Sequence, residues 1–487
     1  MKDQELLGLV RNHQPMTVAQ EIELILKLSL PSMLAQLSTI LMFYIDASMV
    51  GSLGAEASAA VGIVTSSLWV FGGLNAAVAM GFSVQVAHAI GANDNAGARQ
   101  IVRQAYPCAL LVSLCLGALG VLISGPLPQW LGGAPEICPD GSAYFLIFAL
   151  TMPFAQLNFL SGSMLRCSGN MKVPSFINVL MCVLDVFFNS LFIFETRTLS
   201  IGGLELTLWG AGLGVTGAAL GTSAAFVCCS LIMTYCATLR SQELNLRLEK
   251  GSFIPRKDTV VKAIKIGVPM ALQHLAISLA QIVSTMIVAP LGIVAIAAHS
   301  FAITVESICY MPGNGISEAA TTLVGQAIGA RRPRLTFAFA KIAVVTGMLV
   351  MSFTGFLMYV FAPELMAVMT PDERIRDLAV GVLRIEAFAE PLFAAAIVTY
   401  GVFVGAGDTF TPCLMNLFSM WAVRLTAAAL MAPHFGLYGV WIAMCGELCF
   451  RGIIFLVRLL RGHWLKRVLD RERFLKEKEA ASAAKAP

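Results

Sequence analysis

Four polar side chains that could hold a cation stand inside stretches of sequence that are otherwise apolar. Asp46 lies in the first stretch, and Asn178, Asp185 and Asn189 lie in the fifth, spaced by seven and four residues. That spacing puts the last three on one stripe of a helix. Carboxylate and amide oxygens suit a hard cation, while burial and a neighbouring like charge favour the protonated form of a carboxyl group. These residues therefore predict a site for H⁺ or Na⁺, with Thr222 as a further ligand.

The site can assemble only if these stretches are helices that cross a membrane. Of the 487 residues, 57% are apolar and 13% are charged, against roughly 45–50% and about 25% in soluble domains. The apolar excess must face lipid, where each run of roughly 20 residues has to be a helix. Twelve spans are predicted, at 24–50, 57–80, 103–125, 143–166, 173–195, 211–239, 265–290, 293–320, 336–361, 381–405, 412–433 and 436–460.

The depth of the polar residues agrees with a single site. A helical rise of about 1.5 Å per residue places Asp46 and Asn189 at similar depth, with Asp185 about one turn deeper. The alternative is that these side chains only join the spans by hydrogen bonds. It applies most to Asn178, because the second half of the chain has a counterpart in Asn416.

Lysine and arginine are unevenly shared between the two sides of the predicted bundle. Most fall in the N-terminal segment, in the loops after even-numbered spans and in the C-terminal tail. The exceptions are Arg197, Arg374, Arg376 and Arg384 on the opposite side, and Arg424 and Arg451 inside spans. Because basic loops stay in the cytoplasm, both termini are predicted to be cytoplasmic.

Several other classes of function lack their sequence signatures. There is no basic stripe interleaved with aromatic residues to predict nucleic-acid binding, and no Gly-x4-Gly-Lys-Ser/Thr loop to predict ATP binding. No nucleophile–base pair or metal set predicts an enzyme. All of the 12 cysteines except Cys138 lie inside apolar spans or, for Cys167, directly at the end of one, where a thiol serves as a small hydrophobic group.

The two halves of the chain are copies of one unit. An offset of 238 residues pairs Pro31 with Pro269 and the Ala-Ile-Gly-Ala run at 89–92 with the identical run at 327–330. After the fifth span the offset falls to 222, so the first copy carries a 16-residue insertion near residues 195–209. Six spans per copy make the copies parallel, a plan that places a transport path between the halves.

With these features the chain resembles the multidrug and toxic compound extrusion (MATE) family of bacterial antiporters. The residues that carry the resemblance are the run from Asp46 to Gly54, the Ala-x-x-Ile-Gly-Ala ends of spans two and eight, the run from Gly405 to Thr409 followed by Pro412, and the spacing of Pro174, Asn178, Asp185 and Asn189. The resemblance implies two six-helix lobes arranged as a V around a central cavity. It also implies export of amphipathic, often cationic compounds in exchange for H⁺ or Na⁺, with Asp46 as the first-span acid.

The second lobe does not repeat the proposed site, because Asp46 aligns with Ser284 and Asp185 with Val423. The NorM-like branch of the family has an acid where this chain has Ile277. The resemblance is therefore closer to the DinF-like branch, although that branch has the amide before the acid and this chain has Asp185 before Asn189.

Four residues are predicted to line the substrate cavity: Tyr44, Glu306, Glu390 and Arg424. Glu306 lies deeper in span eight than Glu318, and a carboxylate that faces the cavity there would attract cations. Glu390 precedes Pro391 and is predicted either to pair with Arg424 across adjacent spans or to contact the substrate. Glu318 stands near the cytoplasmic end of span eight, and its charge is interpreted as solvated.

The sequence thus predicts an all-α integral membrane protein of the bacterial inner membrane. Its predicted parts are a cytoplasmic N-terminal segment at 1–23, a first lobe at 24–239, a linker at 240–264, a second lobe at 265–461 and a charged tail at 462–487. We expect a monomeric efflux antiporter for small-molecule drugs or organic cations, with no cofactor beyond H⁺ or Na⁺ and no metal beyond Na⁺ at Asp46 and Asp185. The alternative is a flippase for a lipid-linked precursor, which would need a cavity lined by arginine or lysine.

Overall fold

The computed structural model describes residues 3–201 and 204–466, and nearly all of them are helical. The predicted tail therefore lies, beyond residue 466, outside the described residues. The spans of the first half are Val18–Gly51, Ala55–Gly91, Asn95–Ser124, Cys138–Cys167, Lys172–Phe192 and Gly214–Tyr235, which we call spans 1 to 6. Those of the second half begin with span 7, Lys257–Val288, span 8, Ile293–Gly329, and span 9, Pro333–Met369. Span 10 is the bent pair Glu373–Glu386 and Glu390–Gly405, and Phe410–Arg461 follows it.

These helices account for twelve passes. In the described part of the chain, ten helices are long and apolar enough to cross a membrane, and the pair bent by 61° adds an eleventh. The 52-residue stretch Phe410–Arg461 is about twice the length that a bilayer core requires. It breaks at Gly436, whose φ of 59° and ψ of −140° are not helical, and so supplies spans 11 and 12. The prediction of twelve spans is confirmed.

The repeat is visible in the backbone conformation as well as in the sequence. Positive φ angles occur at equivalent turns of the two halves: 118° at Gly54 and 100° at Gly292, and 92° at Gly169 and 75° at Gly407. Residues with a side chain are strained in this region, whereas glycine is not. The glycines that recur at an offset of 238 residues are therefore needed to turn the chain between the same pairs of spans.

The insertion in the first half forms a β-hairpin that the all-α prediction does not include. Strands Glu195–Ile201 and Leu204–Ala211 are antiparallel, with Glu195 opposite Ala211 and Ile201 opposite Leu204. The sequence contains a signal for it, since polar and apolar residues alternate on both sides of a Gly-Gly pair.

The two lobes touch most closely at the end of the bundle that carries both termini, which we call the basic end. There His88 of span 2 bonds through Nε2 to the carbonyl oxygen of Gly405 at 2.8 Å. Gln326 of span 8 donates from Nε2 to the carbonyl oxygen of Cys167 at 2.9 Å. The two bonds are equivalent at the 238-residue offset, so they are related by the pseudo-twofold axis between the lobes.

Two glycines allow this close approach. A Cβ on Gly91 would overlap the backbone carbonyl of Gln326, and a Cβ on the equivalent Gly329 would overlap that of His88. Spans 2 and 8 therefore cross with their backbones in contact, and the passage between the lobes is closed at the basic end.

A short helix, Asp3–Arg11, lies beneath this contact. Its Leu6, Leu7 and Val10 are fully buried. Arg11 donates to the carbonyl oxygen of Ser168 at 2.9 Å and to Gln326 Oε1 at 3.3 Å, so it joins the first lobe to the second. The N-terminal segment is thus a packed part of the molecule at the basic end.

The charged linker between the lobes is fixed to the first lobe. Arg99 of span 3 donates to the carbonyl oxygen of Glu243 at 3.1 Å and bonds the Glu249 carboxylate at 3.0 Å. Arg103, one turn further on, donates to the carbonyl oxygen of Leu246 at 2.6 Å. Both arginines are buried, so their charge is compensated by the linker.

Candidate functional site

Spans 1, 5 and 6 bring four of the five predicted coupling residues together in the first lobe. Nδ2 of Asn189 donates to Asp46 Oδ1 at 2.8 Å and to Asp185 Oδ2 at 3.2 Å. Asp185 and Asn189 are fully buried, and Asp46 is half-buried. One amide group therefore bridges the carboxyl groups of two different spans.

Thr222 of span 6 is buried beside this bridge. Gly221, next to Thr222, lets span 6 come this close. A Cβ there would overlap Asn189 Oδ1 and stand 2.9 Å from the Asn189 backbone nitrogen. Span 6 thus closes the back of the site with a glycine and a hydroxyl.

The cluster has unused capacity to bind a small cation or a proton. Asp185 Oδ1 and Asn189 Oδ1 are buried without a hydrogen-bond partner among the described residues. Unpaired oxygens of this kind cost free energy in an apolar interior unless a proton or ion uses them. Within the described chain, no three His, Cys, Asp or Glu side chains are placed to hold a metal ion, so an ion here would need amide and hydroxyl oxygens too.

Asn178 is not brought into this cluster. It stands seven residues before Asp185, about 10 Å along span 5, and no hydrogen bond joins it to the other four residues. Its position is consistent with the structural alternative, in which it and Asn416 occupy equivalent places in the two lobes.

The predicted pair of Glu390 with Arg424 does not form. Both carboxylate oxygens of Glu390 are buried without a hydrogen-bond partner among the described residues, and Arg424 contacts the Met444 sulfur. The reason is the bend in span 10, which starts its second half at Glu390 and turns that side chain towards span 9. A Cβ placed on Gly355 of span 9 would be 3.0 Å from both the Cβ and the Cγ of Glu390.

The second lobe instead contains an ion pair that the sequence analysis did not predict. Arg451 makes two bonds of 2.8 Å to the Glu447 carboxylate, which also accepts a hydrogen bond from the Ser419 hydroxyl. The signal was available, because acid and base stand four residues apart on one apolar helix. Glu306 and Glu386 are buried nearby, and neither Glu386 carboxylate oxygen has a partner within the described residues.

Tyr44 lies where the lobes meet. Its hydroxyl donates to the backbone carbonyl of Thr304 at 3.0 Å, which ties span 1 to span 8 two residues from Glu306. Its phenol ring is partly exposed. Tyr44 therefore joins span 1 to the backbone of span 8, whereas the Glu306, Glu390 and Arg424 side chains are buried within the second lobe.

Glu318 was interpreted as solvated, and the structure corrects this. Its carboxylate accepts hydrogen bonds from the Ser32 hydroxyl and from Gln36 Nε2, the latter at 3.2 Å, and stands 3.6 Å from Arg166 Nε. All three partners belong to the first lobe. Contacts between lobes follow no helical periodicity, so the sequence has no signal for them.

The comparisons with known proteins agree with this architecture. The MatE family model matches residues 31–191 and 269–430, one match in each repeat. A probable multidrug resistance protein NorM of Thermotoga maritima is 28% identical over 471 residues, covering 96% of this chain and 98% of that protein. Multidrug resistance protein PmpM of Pseudomonas aeruginosa is 23% identical and covers 96% of each chain. Several relatives have the name NorM, so they give no support to a closer likeness to the DinF-like branch.

Solved structures share the fold. A crystal structure described as MATE in complex with MaD3S has a TM-score of 0.83 at 22% identity, covering 95% of this chain and 99% of that one. A structure described as the outward-facing conformation of a multidrug resistance MATE family transporter has a TM-score of 0.82 at 23% identity. At this identity the likeness is one of fold, and the family is established by the model that matches both repeats. The chain belongs to the MatE family.

Proposed function

We propose that this protein is a secondary active antiporter that exports amphipathic, often cationic compounds in exchange for a coupling ion. Its family, and relatives named as multidrug resistance proteins, support this function. The observation that carries the coupling mechanism is the Asn189 amide, which bridges Asp46 and Asp185. Two carboxyl groups at this spacing inside an apolar bundle cannot both keep a full charge without a compensating cation.

We propose H⁺ as the coupling ion. The Asn189 amide presents its nitrogen to both carboxyl groups, so its hydrogens occupy the one position from which a Na⁺ ion would bridge Asp46 and Asp185. Binding of a proton to one carboxyl group removes the negative charge that strengthens its hydrogen bond to this amide. The connection between spans 1 and 5 is then weaker, and span 1 contains Pro31, where a helix bends readily.

The side chains on span 1 support a transport path between the lobes. Leu30, Leu34, Leu37 and Leu41 are exposed on one face, which suits lipid. On the opposite face Phe43 is 45% exposed and contacts the ring of Trp69, itself 54% exposed, at 5.0 Å. Since the basic end is closed, we propose that this face lines a cavity that opens at the other end.

We propose lobes at 24–239 and 265–461, with both termini in the cytoplasm of a bacterial cell and a monomer in the inner membrane. The place of the coupling cluster in the first lobe, together with Ile277 in the seventh span, is our ground for a DinF-like coupling arrangement despite the NorM names of the relatives.

The proposed function is tested by Asp46→Asn in proteoliposomes loaded with ethidium, under a pH gradient or a Na⁺ gradient imposed separately. We expect the wild type to move ethidium under the pH gradient alone, and the variant to lose at least about tenfold of that rate, because its carboxamide cannot take up a proton. The matched control is Asp140→Asn, an exposed aspartate at the start of span 4. Transport driven only by Na⁺ would contradict H⁺ coupling, and full activity of the variant would contradict the site.

A further inference from the structure

Glu318 joins the lobes across the inner part of the proposed path. It is in span 8 of the second lobe, and its three polar partners, Ser32, Gln36 and Arg166, are in the first. When the lobes separate at the basic end, Glu318 loses all three partners in one movement. A carboxylate left unpaired inside a membrane protein is costly, so another cation or donor must replace them.

The partners place Glu318 on the path. Ser32, Gln36, Phe43 and Asp46 recur at intervals that keep them on the face of span 1 opposite the exposed leucines. Ser32 and Gln36 are at the closed end of this stripe, and Asp46 is about ten residues, or roughly 15 Å, further out. Glu318 therefore stands at the inner end of the same surface that reaches the coupling cluster.

The other half of the lobe interface closes without any such charge. At the 238-residue offset, Glu318 corresponds to Met80, Ser32 to Met270, Arg166 to Val404 and Gln36 to His274. Met270 and Val404 are core members of one apolar cluster, and Met80 packs against it. Because the counterparts of Glu318 and Arg166 are both apolar there, lobe closure by itself does not require this ion pair.

The ion pair between Glu318 and Arg166 is weak enough for another cation to replace Arg166. Its N–O distance is 3.6 Å, and the Glu318 and Arg166 side chains are 29% and 18% exposed. Partly exposed pairs at this distance contribute little stability, so an incoming cation can compete with the guanidinium group.

We propose that Glu318 is the residue that selects cationic substrates. In the state open at the basic end, its carboxylate binds the cationic group of the substrate in place of Ser32, Gln36 and Arg166. As the lobes close again, these three groups reclaim the carboxylate and release the substrate towards the open side. The exposed Phe43 and Trp69 rings further along the path offer a surface for aromatic parts of such a cation. This role rests on the proposed function.

The test uses tetraphenylphosphonium, a permanent monocation, as the transported probe in proteoliposomes. We expect Glu318→Gln to raise the KM about tenfold, as the loss of one charge contact would. We expect Arg166→Met to lower the KM severalfold, because it removes the competitor and leaves the carboxylate free. Glu318→Asp keeps the charge and should stay within about threefold of the wild type, and Glu364→Gln, at an exposed position in span 9, is the matched control.

The opposite changes in KM expected for Glu318→Gln and Arg166→Met distinguish a role in substrate selection from a purely structural role. A merely structural pair predicts that Glu318→Gln and Arg166→Met change transport in the same direction, and that result would overturn the proposal. So would a change in kcat with the KM unaltered. If Glu318→Gln does not fold, the KM of Arg166→Met still tests the proposal, because a structural role does not predict a lower KM. Failure of the wild type to move the probe contradicts the proposed function instead.

Discussion

Asn189 uses the hydrogens of one amide on two carboxyl groups that approach from different helices. The sequence could predict the meeting of Asp46, Asp185 and Asn189, because helical spacing and depth are periodic quantities that one chain reveals. It could not reveal that Glu390 turns away from Arg424, since this depends on the 61° bend of span 10. Nor could it predict the partners of Glu318, because they lie in the other lobe.

At the scale of single residues, Gly221 gives a sharp prediction. Gly221→Ala should lower the melting temperature of the purified protein and abolish proton-driven ethidium transport, because the new Cβ would press on the Asn189 carboxamide and backbone. Melting followed by intrinsic fluorescence, together with the transport assay, measures both effects.

The control for this prediction is Gly72→Ala in span 2, where a Cβ would meet nothing within 4 Å. Alanine is favoured over glycine inside a helix by about 0.5–1 kcal/mol, so this variant should melt at the same temperature as the wild type or above it. Equal losses in the two variants would show that the Gly221 contact has no special role.

At the scale of elements, the twelve spans follow from composition and apolar length, and the exceptions have physical causes. The hairpin at Glu195–Ala211 alternates polar and apolar residues with a period of two, so it contains none of the long apolar runs that predict spans. The helix Asp3–Arg11 is too short to predict from its own pattern, and it is held by packing of Leu6, Leu7 and Val10 and by Arg11. Such packing depends on the surfaces of other elements, which the local sequence does not contain.

We expect the helix Asp3–Arg11 to stabilise the closed form of the basic end. Combined Leu7→Ala and Arg11→Ala substitutions remove a fully buried side chain and the bonds to Ser168 and Gln326. A buried leucine truncation costs about 2–5 kcal/mol, so we expect the basic end to open more often. In a variant that retains only Cys167, which is buried beside this contact, maleimide should react at least about tenfold faster. Unchanged labelling would contradict this stabilising role, and Val18→Ala, at an exposed position, is the control.

At the scale of the whole molecule, the pseudo-twofold axis makes a prediction that neither lobe makes alone. Gly91→Ala and Gly329→Ala each place a Cβ against a backbone carbonyl of the opposite lobe. Because the two sites are equivalent, each should destabilise the closed basic end by a similar amount and speed maleimide labelling of Cys167 to a similar degree.

Labelling of Cys167 in the two glycine variants and in Gly62→Ala, which meets nothing within 4 Å, checks this symmetry. An effect confined to one of the two glycines would show that only one of these two backbone contacts keeps the basic end closed. In that case the repeat would determine the fold, but the two halves would not contribute equally to closing the basic end.

The paired bonds His88 to Gly405 and Gln326 to Cys167 have an implication for the origin of the chain. A contact made by equivalent residues on both sides of a twofold axis is self-complementary, as in an isologous dimer. A half-length polypeptide with six spans could therefore have closed against a second copy of itself through this surface. Asp46, Asp185 and Glu318 have no counterparts across the axis, and a pair of identical subunits cannot differ in this way. Fusion of two copies into one chain would allow the proposed ion site and the proposed substrate-selecting residue to lie in different halves.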